Sequence, residues 1–273
     1  MPYSLMQMMR ASARGRTRRH DGMTGIGSRT VCARGALVVL GVMAAAPSVH
    51  AQSVDAGVEA STDEVRRGLS WSDGEISASA DALVGFGGFD ASARVSMLRK
   101  SDRHANADVV ADLALGRDWD LSGFTVRTEA IGHVFGGADA SMDYVELGLG
   151  ARYSIGPLQV GAGAFYAPSQ DAIGGDNLYL RASANFGVPA LPVSLSASVG
   201  HTTGDTKDAR SARLRPLGDY TDWKLGVEYN QFPFTIGVDY AGTDVDTSRV
   251  PLSPYADLKH AGDRVVGRVR LSF

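Results

Sequence analysis

Cysteine occurs once in the 273 residues, at position 32. A single thiol supports neither a disulfide framework nor a thiolate metal site. Histidine is sparse as well, and beyond residue 51 only His104, His133, His201 and His260 remain. Long apolar runs are missing. The longest, 36–46 (ALVVLGVMAAA), has eleven residues, whereas a membrane-spanning helix takes roughly 20. Positive charge is also short, with 27 Lys and Arg against 30 Asp and Glu. That balance gives no concentrated cationic footprint, so nucleic acid is not an expected partner.

What charge there is lies unevenly along the chain. Arginines at 10, 14, 16, 18, 19, 29 and 34 precede the apolar run, and Val49-His50-Ala51 follows it. A basic stretch, an apolar stretch and a small-residue cleavage pattern, in that order, read as a secretory leader over 1–51, cleaved near Ala51. Met23 is an alternative start within it. Cys32 precedes the apolar run and so is not placed for lipidation. Removing seven Arg and one Asp leaves 20 basic and 29 acidic residues, a net of about −9. The expected mature chain, 52–273, therefore has no cysteine, and no cofactor or metal is expected.

Beyond residue 52 the dominant pattern has period two, which sends successive side chains to opposite faces of a strand. It predicts twelve strands: 53–60, 75–85, 89–98, 107–115, 122–133, 143–153, 157–166, 177–186, 192–201, 221–230, 233–241 and 264–273. Many have about the length that a tilted strand needs to cross a bilayer. The gaps alternate too. Those at 86–88, 116–121 (GRDWDL), 154–156, 187–191 and 231–232 are short and have turn chemistry. Those at 61–74, 201–220 and 242–263 are long and polar. Short turns on one side and long loops on the other predict an all-β fold, a transmembrane antiparallel up-and-down barrel of about twelve strands in the outer membrane of a Gram-negative cell. Short strands hidden in 61–74 or 242–263 would change the count to ten or fourteen. A soluble β-sandwich also alternates, but its loop lengths have no reason to do so.

Hydrocarbon offers no partner to backbone N–H and C=O groups, so each strand must pair on both sides and the sheet must close. Only alternate residues then meet lipid. The other face would line a lumen, and its candidates are Arg94, Asp112, Arg127, Glu129, Glu146, Arg181, Lys224, Glu228, Asp239, Arg268 and Arg270. Two arrangements are open: a narrow polar channel tuned by these charges, with Arg94, Arg127, Arg181, Arg268 and Arg270 as an arginine-lined side, or ion pairs that fill the lumen. Aromatics near strand ends, among them Tyr144, Tyr153, Phe165, Tyr166, Tyr179, Tyr229, Phe234 and Tyr240, are candidates for interfacial girdles. The last strand places Val265, Gly267, Val269, Leu271 and Phe273 on one face and Arg264, Arg268 and Arg270 on the other. Its terminal Phe resembles the assembly signal read by the outer-membrane insertion machinery, which is then an expected partner along with outer-membrane lipid.

The stretch 62–74, TDEVRRGLSWSDG, is similar to the N-terminal motif of the TorF family of porin-like outer-membrane proteins. Asp63, Arg67, Gly68, Leu69, Ser70, Ser72, Asp73 and Gly74 match it. Glu64 and Arg66 depart where that family tends to place aromatics. The resemblance implies a porin-like barrel of undefined substrate and no catalytic residues. The residues agree: no serine motif accompanies His133, as a lipase-type barrel would require, and the loop aspartates match no cation-binding spacing. The expected role is passive diffusion of small polar solutes or ions. The alternative is an adhesin-type protein with a closed lumen that binds partners through its long loops.

Overall fold

The computed structural model describes residues 53–273; the expected leader lies outside them. The strands in chain order are β1 (Ser53–Ser61), β2 (Val65–Arg66), β3 (Leu69–Ser70), β4 (Ser77–Phe86), β5 (Phe89–Ser101), β6 (Ala107–Leu121), β7 (Phe124–Gly136), β8 (Tyr144–Ile155), β9 (Leu158–Gln170), β10 (Gly175–Gly187), β11 (Val193–Thr203), β12 (Tyr220–Gln231), β13 (Phe234–Thr243) and β14 (Arg264–Ser272). All except β2 and β3 form one closed antiparallel barrel of twelve strands, in which each strand pairs with its sequence neighbours and β14 returns to β1. Closure satisfies both edges of every strand. Both ends of the barrel chain lie on the short-turn side, where the Phe273 N–H donates to the Ala56 carbonyl at 2.9 Å.

The alternation read from the sequence is the alternation of the wall. In β8, Val145, Leu147 and Leu149 are more than half exposed, while Tyr144 and Glu146, at alternate positions, are buried. Exposed Leu113, Leu115, Leu180, Leu225, Val227, Ile236, Val238 and Val269 continue the apolar outer face. In β14, Val265, Val269 and Phe273 face outward and exposed while Val266 is buried. Gly267 shares their face, and its N–H meets the Thr62 hydroxyl at the seam.

Two expectations need correction. The stretch 116–121 is not a turn, because β6 runs through it to Leu121. Its alternation persists: Trp119 and Leu121 are outward and exposed, and Asp118 is turned inward to Arg127 and Arg152. The turn is Ser122-Gly123, with φ of 50° and 90°. Positive φ at both central residues gives the twist that suits a two-residue hairpin. The girdle is also smaller than expected. Tyr153, Tyr166, Tyr229, Phe234 and Tyr240 face outward and exposed, but Tyr144 and Tyr179 are buried inside, with the Phe165 ring 6.3 Å from that of Tyr179.

The strands hidden in 61–74 exist, but they are not part of the wall. β2 and β3 pair only with each other. This hairpin folds into the barrel from the long-loop side. Arg67 and Gly68 form its tip, with φ of 50° and 73°.

Candidate functional site

The hairpin is built around Asp63. Its carboxylate accepts from the Ser70 hydroxyl at 2.6 Å and the Ser72 hydroxyl at 2.9 Å, and pairs with Arg264 Nη1 at 2.8 Å. The Ser70 hydroxyl in turn accepts from the Gly74 N–H, at 2.8 Å, where the chain takes φ +72°. Leu69 is buried against Tyr220 and Ala261. A Cβ on Gly68 would lie 2.8 Å from the Gly242 carbonyl oxygen and 2.9 Å from Asp222 Cβ, so only glycine seats the tip. Trp71 packs at a tilt against His104, at 4.3 Å between centroids, and Phe135, at 5.9 Å. It joins a buried cluster with Leu98, Val110, Met142, Ile173 and Leu214. Asp63, Arg67, Gly68, Leu69, Ser70, Ser72 and Gly74 thus form a plug rather than a binding site.

Below the plug, adjacent arginines reach the wall in a continuous chain of polar contacts. Arg66 lies 2.8 Å from Asp112, which lies 2.7 Å from His133 Nδ1. His133 Nε2 is 3.6 Å from Glu146, and Glu146 is 2.6 Å from Arg67. The Arg67 guanidinium also lies 4.5 Å from the Tyr179 ring centre. Glu64 pairs with Arg66 at 2.9 Å and lies 3.6 Å from Arg94. The two positions that depart from the TorF motif, Glu64 and Arg66, thus join the motif residue Arg67 in making charged contacts with the lumen. The cavity among Arg66, Arg67, Trp71, His133, Tyr144 and Tyr220 is about 50 Å³. That is room for a water molecule or two, not for a solute.

Two arginines that the sequence did not single out hold the cap together. Arg103, fully buried, donates to the carbonyls of Ser70 at 3.2 Å, Arg213 at 2.8 Å and Asp257 at 2.6 Å. Arg213 donates to the carbonyls of Met142 at 3.1 Å and Ala172 at 2.5 Å, and to His104 Nδ1 at 3.2 Å. These bonds connect the segments 62–76, 102–106, 137–143, 171–174, 204–219 and 244–263, all six connections on that side of the barrel. Burial pulls Arg213 down to about 10, still a cation at neutral pH. Burial, reinforced by Arg213 and Arg103, holds His104 well below its usual range, so its imidazole is neutral. Because both guanidiniums bond to main-chain oxygens, no charge pattern marks them in the sequence. The long loops fold inward over the barrel mouth, although Val250 and Leu252 stay exposed at the tip of 244–263.

The short-turn half of the lumen is roomier. One cavity of about 490 Å³ borders Asp55, Asp81, Arg94 and Asp112. A second, of about 200 Å³, borders Arg127, Glu129, Arg152 and Arg181, and a third, of about 180 Å³, borders Arg181, Lys224, Glu228 and Arg268. All eleven expected lumen residues face inward, but they do not form an arginine-lined side. Arg94 is 3.0 Å from Glu59, and Arg127 is 2.7 Å from Asp90 and 3.1 Å from Glu129. Arg268 pairs with Glu228 and lies 3.2 Å from Asp239, which is also 3.6 Å from Lys224. Arg270 is 2.5 Å from Asp81. Carboxylates on the same strand or one to two strands away along the wall neutralise these cations.

Asp73, Asp257 and His260 are the group of metal-type donors that converges among the described residues, within 4.8 Å of one another. His260 Nδ1 already lies 2.9 Å from Asp257. No serine hydroxyl bonds to a histidine ring among the described residues.

A family model described as a bacterial protein of unknown function, Gcw_chp, matches residues 44–266. The chain belongs to the Gcw_chp family. No curated protein matches it in sequence. Among solved structures it is similar to the KdgM porin, with 11% identity and a TM-score of 0.51 over 81% of this chain and 98% of that one. It also aligns with the COG4313 outer membrane channel of Pseudomonas putida F1, with 8% identity and a TM-score of 0.48 over 84% and 99%. The KdgM likeness places this Gcw_chp chain in the architecture of porin-like barrels.

Proposed function

We propose that this Gcw_chp protein is a porin-like channel of the outer membrane, passing small polar solutes or ions and closed here at its long-loop mouth. The observation that carries this reading is the division of labour in the lumen. The wall borders charged cavities of about 180, 200 and 490 Å³ over its short-turn half, and the hairpin with the loops that hold it, not the wall, blocks the other half. A barrel that only needed filling could be filled by side chains of its own strands. The resemblance of 62–74 to the TorF motif and the shared architecture with a porin support the same reading. Export by the leader, lipid contact at the outer face and recognition of 265–273 by the barrel-insertion machinery belong to it.

Planar-bilayer recording tests it. Wild-type protein should give small or intermittent currents, and an Arg67→Ala variant, which loosens the plug, should give larger and more frequent ones. Silence from both at every voltage would leave a closed-lumen protein. The exposed Val250 and Leu252 favour that second reading, an adhesin-type role for the loop tip. Deleting 248–253 would abolish partner binding in that case and leave conductance untouched in the first.

A further inference from the structure

Arg181 is the exception among the inward arginines of the wall. Arg94, Arg127, Arg152, Arg268 and Arg270 each have a carboxylate within ion-pair distance, and among the described residues Arg181 has none. It is also exposed, and it borders both smaller cavities of the vestibule. The register explains the open space. Arg181 on β10 is paired with Gly163 on β9 and Gly200 on β11, and Gly163 is paired with Gly150 on β8. On the β11 side the Tyr179 ring and the Asp222 carboxylate lie over Gly200, so the space beside Arg181 opens toward β9 and β8.

The two glycines on the β8–β9 side are not required by packing. A Cβ on Gly150 would meet only the Ala162 oxygen at 3.5 Å, and one on Gly163 would meet Leu149 O and Phe165 Cε2 at 3.5 Å, ordinary contacts. Neither has a positive φ. What they leave empty is the recess in front of Arg181. The cavities differ in the residues that border them. The 490 Å³ cavity borders Asp55, Asp81 and Asp112 against Arg94. The 180 Å³ cavity borders Arg181, Lys224 and Arg268 against Glu228, with Asn185 and Ser198 as neutral polar groups.

We infer that Arg181 is an anion-binding residue of the vestibule, seating the carboxylate or phosphate of a small organic anion in the glycine-walled recess between β8 and β10. A planar guanidinium with free N–H groups takes a carboxylate or phosphate bidentately. The neighbouring Arg268 and Lys224 are already paired with Glu228 and Asp239, so the charge that holds the anion is that of Arg181 itself. This names a solute class for the proposed channel and so rests on that reading, but binding is measurable whether or not the mouth opens.

The test is calorimetric titration of the full barrel in neutral detergent at low salt, where screening is weak, with malonate, inorganic phosphate and neutral malonamide in separate runs. Malonate, phosphate or both should bind saturably at one site, the difference separating the two chemistries, and malonamide should not bind. Arg181→Gln should weaken binding by about tenfold or more, the loss expected for a charge-assisted hydrogen bond. Lys259→Gln, on an exposed loop, should change nothing. Gly163→Leu, which fills the recess and keeps the charge, should weaken binding as Arg181→Gln does, with heat-modifiable gel mobility confirming that both variants are folded. Absence of saturable binding, or binding indifferent to Arg181→Gln and Gly163→Leu, overturns the inference. A conducting barrel that binds no anion sinks this inference alone, and a silent barrel that binds malonate sinks the channel alone.

Discussion

Arg67, at the tip of the plug, and Glu146, on the wall, meet at 2.6 Å across 79 positions of sequence. Glu146 is almost wholly buried. Removing one partner of such a pair strands the other charge and costs about 3–5 kcal/mol. Arg67→Ala is therefore expected to unseat the hairpin, with increased conductance and new protease cleavage within 62–74. Arg67→Ala combined with Glu146→Gln should be less damaging than the two single effects added. Equal protease resistance of Arg67→Ala and wild type would show that the pair does not hold the plug.

Glycine substitutions should separate plug from wall. Gly68→Ala places a methyl against Gly242 O and Asp222 Cβ at a φ of +73°, so the hairpin cannot seat. Gly87→Ala, at a turn with nothing within 4 Å, carries only the left-handed backbone penalty of about 1–2 kcal/mol. Limited proteolysis should cut Gly68→Ala inside the plug and leave Gly87→Ala intact. Identical digestion patterns would refute the fit of the tip.

Arg103→Met and Arg213→Met keep the stem and lose the guanidinium. Each leaves buried carbonyls without donors, at about 1–3 kcal/mol apiece. Hydrogen exchange should accelerate across all six connections of the cap in either variant, while the strands of the wall stay protected. Acceleration confined to the mutated loop would show that the cap is not a single unit.

The cap should also weaken in acid. His104 is neutral because burial, Arg213, Arg103, Arg66 and His133 all oppose its proton, so its folded pKa lies below the ordinary 6.5. A group depressed in this way binds protons more readily when released. The cap then has its full stability above about pH 6.5 and loses it as pH falls from there toward the folded value. Trp71 fluorescence, reporting the ring packed against His104, should change over that window in wild type and not in His104→Phe. A flat profile in wild type would remove His104 from the account.

The wall was legible from residue order because its signal is local. Period two in 143–153 already separates Leu147 from Glu146, and loop lengths alternate without reference to any partner. The error at 116–121 came from reading Gly, Asp and Asp as turn chemistry, where Asp118 and Asp120 occupy inward positions of a continuing strand. The site was less legible because its contacts are distant. Nothing near Arg268 in sequence names Glu228 or Asp239, so arginines that looked like a cationic lining were already neutralised. Arg103 and Arg213 were invisible for another reason: they bond to main-chain oxygens, which every residue carries.

Asp63 follows directly on the first strand of the barrel, yet its charge partner, Arg264, stands at the start of the last, 201 positions away. The plug's anchoring group thus emerges early and must wait for the final strand. An unfinished barrel would be hollow at its upper end, and the hairpin could lock only after the seam between β14 and β1 had formed. A seated plug is therefore a record of completed closure, written into the molecule by the order of its own chain.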